Sequence, residues 1–333
     1  MRMRLSFGET PTTRQRMKDM TTPIRAIPSL DPQTHVAHRL HGADRQWLET
    51  NCSVDLWIEL LHALGREPLA VLGVTARLDF EGDQFTFFKL PPGEVEALAG
   101  VELCELSLYD DLIPHLETQV ARGRMPLIEV DAWHLPDTRG VSYGVEHSKT
   151  TIGVNLIDPR GRRVEYLHNA GCFAASGADF DAIFAKGVLF PYCEYAKLNA
   201  APTLDLKREA RALLRGHVAR RPRANPVAAW AAALPAHAEH VAKGGEAAFH
   251  KYAFNTCRQL GANFELMADH LDWLDPAFEG AAKDARALAG DAKVAQMKLA
   301  RLLARRRMSE AASLAEPMIG TWERILAALE RAA

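Results

Sequence analysis

Beyond about Pro202 the chain loses its strand signals. Ala, Leu, Arg and Glu dominate there, and apolar residues recur with helical period through 204–220, 226–242, 245–274, 276–304 and 309–332, broken by Pro and Gly. Between about His35 and Phe190 short strand-like runs mix with helices instead. A chain with that change of character is expected to fold as two units. A length of 333 residues suffices for each to bury a core. The expected organisation is a flexible leader over 1–32, with Met20 a candidate start, then an α+β domain over 33–198 and an all-α helical bundle over 199–333.

Within the first unit, 51–64 reads as an amphipathic helix. Residues 84–88 have the aromatic and β-branched content of a strand, and 93–99 and 108–122 are acidic helical stretches. Residues 126–133 read as a buried strand that carries Glu129 and Asp131 on one face, because strand side chains alternate. Residues 150–157 and 163–167, joined by Asp158-Pro159-Arg160-Gly161, form a hairpin. The implied architecture is a helix packed on an antiparallel sheet.

The chemistry centres on Cys52, in the first turn of the 51–64 helix, with Thr50 and Asn51 as capping candidates. A helix N-terminus offers unpaired N–H groups and partial positive charge, which favour a thiolate. The plain alternative is a buried, inert cysteine. His147 stands at the mouth of the hairpin's first strand, where an imidazole can take the thiol proton. His134 and His168 are its rivals: His134 sits in a loop beside Pro136, and His168 points away from Asn169 on one strand. Asn169, on the return strand, is the candidate to orient the imidazole, although 169–171 also reads as a strand terminus. Gln46 and the Cys52 backbone N–H are the candidate oxyanion donors. Glu129, Asp131 and Asp137 are candidates to bind a cationic acceptor amine; internal ion pairs account for them equally well. His35, His38 and His41 form an H-x2-H-x2-H run without an acidic or Cys partner close in sequence. It reads as a loop packed near the Cys52 helix, and no metal site is expected.

Composition narrows the partners. Net charge is −2 and charged residues make up 25%, so nothing attracts nucleic acid or anionic lipid globally. The basic stretch 298–307 reads as a solvated helix face, with docking of an acidic partner as the alternative. Five scattered cysteines without a C-x-x-C spacing indicate neither a disulfide framework nor zinc, which fits a reducing cytoplasm. No run of eighteen apolar residues predicts a membrane span, and the first residues lack an apolar signal core.

Gln, Cys, His and Asn in that chain order are the set that papain-like enzymes use. Residues 45–64, 79–89, 135–138, 147–152, 168–171 and 258–266 together resemble an uncharacterised domain-of-unknown-function family. Its members are often encoded beside seryl-tRNA-synthetase-like amino acid:carrier protein ligases. More distantly, the first half is similar to the papain-like N-terminal domain of the butirosin-biosynthesis acyltransferase and to double-glycine leader peptidases. Ser53, Leu167 and Cys172 depart from the family pattern, standing where aromatic residues are expected. The resemblance implies Cys52 as nucleophile, His147 as base and Asn169 as orienter. It implies a cytoplasmic acyltransferase that takes an aminoacyl group from the phosphopantetheine thioester of a carrier protein and passes it to an amine or hydroxyl acceptor, with no cofactor bound. A peptidase, amidase or thioesterase on the same residues, and a non-catalytic scaffold, are the other expectations.

Overall fold

The computed structural model describes residues 24–187 and 191–332. The first α-helix, α1 (Cys52–Ala63), starts where the Asn51 side chain accepts from the Ser53 and Val54 N–H groups. Every residue from Val54 to Leu61 is buried, Asp55 and Glu59 included. A helix covered on all sides belongs inside a core rather than on its surface, so α1 is more enclosed than an amphipathic pattern requires. It packs against strands β3 (Lys149–Asp158) and β4 (Arg163–His168).

These two strands sit in a six-stranded antiparallel sheet with β1 (Val101–Glu105), β2 (Arg124–Asp131), β5 (Gly171–Ser176) and β6 (Cys193–Leu198). The strand order is β1-β6-β2-β3-β4-β5. Helix α2 (Pro92–Ala99) leads into β1, α3 (Leu112–Ala121) links β1 to β2, and α4 (Ala178–Ile183) follows β5 on the way to β6. In the β2–β3 pair, Glu129 is opposite Thr151 and Asp131 opposite Lys149. This register brings two residues of the pre-hairpin strand beside the mouth of the hairpin.

The remaining helices are α5 (Leu206–Ala219), α6 (Pro226–Ala253), α7 (Gln259–Leu274), α8 (Glu279–Ala304) and α9 (Glu316–Ala332). The fold is thus α+β, a sheet region followed by helices. Both regions nevertheless share one hydrophobic cluster that runs from Ala26 to Leu329. The 3₁₀ segment Pro68–Arg77 lies in the first region by sequence but packs against α5 and α7.

Several local expectations change. Residues 84–88 form no strand among the described residues, only an isolated bridge between Phe80 and Phe85. The reason is tertiary: Phe85 packs edge-on against Trp230 at 5.7 Å, and its N–H donates to the Asn255 carbonyl, so the bundle takes up bonds a sheet would have used. The flexible leader cannot extend to residue 32. Ala26, Ile27 and Leu30 are buried, Arg25 pairs with Glu165, and the Asn155 side chain bonds the Ile27 backbone. Residues 1–23 and Met20 lie outside the described residues.

The bundle grips the chain that leads into α1. The Glu265 carboxylate accepts from the Gln46 and Trp47 N–H groups at 2.9 and 3.0 Å, and Arg258 donates to the Glu49 and Thr50 carbonyls. The Trp47 indole donates to the Ala289 carbonyl while its ring lies directly on Gly261. A Cβ at Gly261 would meet the indole at 2.5 Å. That contact explains a glycine inside α7, where it costs about 1 kcal/mol relative to Ala.

Candidate functional site

Cys52 is the first residue of α1 and is half-buried. It lines a narrow crevice with Trp57, Phe87, Lys89, Glu129, Lys149, Thr151, Tyr192 and Glu194. Next to it is a cavity of about 960 Å³ lined by Glu129, Asp131, His134, His147, Lys149 and Tyr192, with Leu112, Ile113 and Phe184 as an apolar wall. Three residues, Glu129, Lys149 and Tyr192, belong to both linings. They form a stretch of wall common to the two hollows. The Lys149 ammonium holds the Glu129 carboxylate at 2.6 Å, and the Tyr192 hydroxyl donates to Glu194 at 3.0 Å. Burial, the Glu194 acceptor and nearby carboxylates push Tyr192 up to about 12, so it stays a neutral donor.

Lys149 and Thr151 share one parity along β3 and point to the side that α1 faces, while His147 precedes the strand. The His147 Nδ1 lies 2.6 Å from Asp131 Oδ2, and the imidazole stacks on Trp133 with ring centroids 4.3 Å apart and planes 9° apart. A proton on Nδ1 given to Asp131 leaves Nε2 unprotonated, which is the tautomer a general base needs. Burial opposes ionisation of Asp131, but the hydrogen bonds from His147 and from the Trp133 and Ser148 N–H groups outweigh it and lower its pKa. A carboxylate anchored by three donors is a firm orienting group. Thus Asp131, expected at an amine-binding position, is instead the partner of His147.

Asn169 does not occupy that role. It sits in the two-residue turn between β4 and β5, with φ of 45°. Two positions back, Leu167 is opposite Gly153, which sets Asn169 level with Thr151. His147 is four residues further along, roughly 13 Å at the strand rise. Asn is among the few residues that take this left-handed backbone readily, and that accounts for its presence. Asn169→Gly is therefore expected to change stability by less than about 1 kcal/mol and to leave the reactivity of Cys52 unaltered. A tenfold drop in iodoacetamide labelling of Cys52 would restore Asn169 to the site.

Gln46 is also displaced. Its carboxamide lies against Gly290 of α8, 3.0 Å from where a Cβ there would stand, and it is absent from both linings. The bonds from Glu265 to the 46–47 backbone turn it that way. Asp137 is likewise turned from the cavity: it accepts from Tyr166 and pairs with His168 Nδ1, each at 2.6 Å. His168 Nε2 meets the Thr150 hydroxyl at 2.7 Å. These groups are buried, on the opposite side of the sheet from Lys149 and Thr151.

The three histidines of the H-x2-H-x2-H run gather on α1. Both Glu59 oxygens are taken, one by His35 Nε2 at 2.8 Å and the other by His41 Nδ1 and the His38 N–H. His41 also approaches Asp55, one turn nearer Cys52. The acidic partners that looked missing are supplied by the helix itself. Among the described residues no group of three or more His, Cys, Asp and Glu is arranged to hold a metal ion, and no helix is long and apolar enough to cross a membrane.

Lys149, Tyr192, Glu194 and Trp133 carry no motif, and their importance follows only from strand register. A family model described as the DUF1839 N-terminal domain matches residues 36–198, and one described as the DUF1839 C-terminal domain matches 204–331. Comparison with curated proteins gives no match.

Proposed function

The chain belongs to the DUF1839 family along both its halves, and on that footing we propose that it is a cytoplasmic cysteine-dependent acyltransferase on a papain-like frame. It takes an aminoacyl group from a carrier-protein thioester and delivers it to an amine or hydroxyl acceptor. The observation that carries this reading is the shared lining: Cys52 at a helix start and a His147–Asp131 pair open onto adjoining hollows that have Glu129, Lys149 and Tyr192 in common.

His147 Nε2 accepts the Cys52 proton as sulfur attacks the thioester carbonyl. Asn51 occupies the Ser53 and Val54 N–H groups, so the Cys52 N–H is the donor left for the oxyanion. The carbon–sulfur bond to the phosphopantetheine arm breaks, and the departing thiolate takes the proton from His147. An acceptor then attacks acyl-Cys52 and gives its own proton to His147, and the Cys52 thiolate leaves and recovers it. An ammonium elsewhere on the acceptor, apart from the neutral amine or hydroxyl that attacks, binds Glu129 in place of Lys149. Exchange of one cation for another at an exposed pair costs about 1 kcal/mol or less. The chemistry needs no cofactor of the protein's own.

A hydrolase, whether peptidase, amidase or thioesterase, is the second reading, favoured by one fact: the His147 side chain is 69% exposed, so water reaches the base. Intact mass after incubation with an aminoacyl-carrier thioester separates the readings. Transfer gives an adduct on Cys52 that persists until an amine is added; hydrolysis gives an adduct that decays in buffer. No adduct on the wild type would overturn both and leave a non-catalytic scaffold.

A further inference from the structure

We propose that Gln259, the first residue of α7, is a positioning residue for Cys52, through which the helical region sets the start of α1. The inference rests on Cys52 being the reacting thiol. Asn51 is 2% exposed, and its side chain uses its full hydrogen-bonding capacity. Oδ1 accepts from Ser53 and Val54 at 3.0 Å each, while Nδ2 donates to the Phe88 carbonyl at 3.1 Å and to Gln259 Oε1 at 3.3 Å. Phe88 and Gln259 both present acceptors, so the nitrogen of Asn51 must face them and the oxygen must face the helix. Gln259, together with the Phe88 carbonyl, thereby sets which end of the Asn51 carboxamide caps the turn that holds Cys52.

The arrangement is a poor way to gain stability alone. Gln259 is fully buried and its Nε2 has no partner among the described residues, a desolvation cost that an apolar side chain of the same size avoids. The backbone leading into it adds a second observation. Residues Phe254–Arg258 form a π-helical turn, a rare and strained geometry often found at functional sites. Its Asn255 carbonyl accepts from Phe85, in the same loop that supplies Phe87 and Lys89 to the Cys52 crevice. One turn of the bundle thus holds both the cap of α1 and the opposite lip of the crevice.

The test is the rate of Cys52 carbamidomethylation by iodoacetamide, followed by intact mass from neutral to alkaline pH in the full chain. Hydrogen exchange of the peptide over residues 50–56 is measured beside it. Gln259→Met and Asn51→Ala should each slow alkylation about fivefold, the equivalent of one helix cap, and speed exchange of that peptide alone. The double variant should be no slower than either single one, and Gln259→Glu, which keeps an acceptor oxygen, should recover the rate. Additive slowing in the double variant, or Gln259→Met alkylating at the wild-type rate with unchanged exchange, overturns the proposal. Normal positioning effects without any acyl adduct on wild type would overturn the proposed reaction and uphold this inference.

Discussion

Loss of the His147 imidazole should slow acylation of Cys52 by an aminoacyl thioester about a hundred- to ten-thousandfold, the usual share of a positioned base. His147→Ala removes the proton acceptor while leaving the thiol and its crevice in place, because the side chain is exposed and packs chiefly on Trp133. Asp131→Asn keeps the shape but turns an acceptor of the Nδ1 proton into a group that can equally donate, and this frees the wrong tautomer. Its loss should approach that of His147→Ala, and the double variant should be little worse than either. Single-turnover mass spectrometry reads all three. Retention of more than a tenth of the wild-type rate by His147→Ala would remove the base from the mechanism.

The second large effect is structural and lies seven residues down the same helix. Glu59→Gln should destabilise the protein by about 3–5 kcal/mol at neutral pH, because the buried His41 would lose one of the two carboxylates, Asp55 and Glu59, that hold its charge. Burial alone would pull His41 down, yet its hydrogen bonds to Asp55 and Glu59 hold it at about 9. Burial pushes Glu59 up, and its bonds from His35, His41 and the His38 backbone bring it instead to about 2. His38 is taken down to about 4, mainly by burial, with His62 adding.

From 6.5 to about 9 the folded state holds more protons at His41, so stability falls as pH rises. From about 4 to 6.5 the unfolded state binds more at His38, and from about 2 to 4.5 at Glu59, so stability falls as pH drops. The cluster contributes most near pH 6.5. Urea titrations should place the maximum there, and Glu59→Gln should flatten the alkaline side. A wild-type stability that climbs between pH 6.5 and 9 would refute the assignment.

What could be read from the residues depended on how local the cause was. The start of α1 is legible because Asn51 and Cys52 are neighbours and the cap is made within three residues. The β3–β4 hairpin is legible because Asp158 and Gly161 bond across its turn. Strands β1 and β6 escape notice because each is short and mixes charges with apolar residues, and they are strands by pairings distant in sequence: β1 with β6 across about ninety residues, and β6 with β2. The partner of His147 is hidden for the same reason. Asn169 looks right by order along the chain, but Asp131 meets His147 through the β2–β3 register, which no run of residues announces. Gln46 is near Cys52 in sequence and is drawn to α8 by bonds from Glu265 some two hundred residues away.

The placement of Pro68–Arg77 between α5 and α7 bears on descent as well as on folding. Leu69, Ala70, Val71, Leu72 and Val74 are buried there, on a segment that connects α1 to the sheet. A gene rearrangement that gave the sheet region a different partner would bring those side chains into water. It would also release the bonds that hold residues 45–51. Two regions so interlocked keep each other's cores closed, and neither is a separable part.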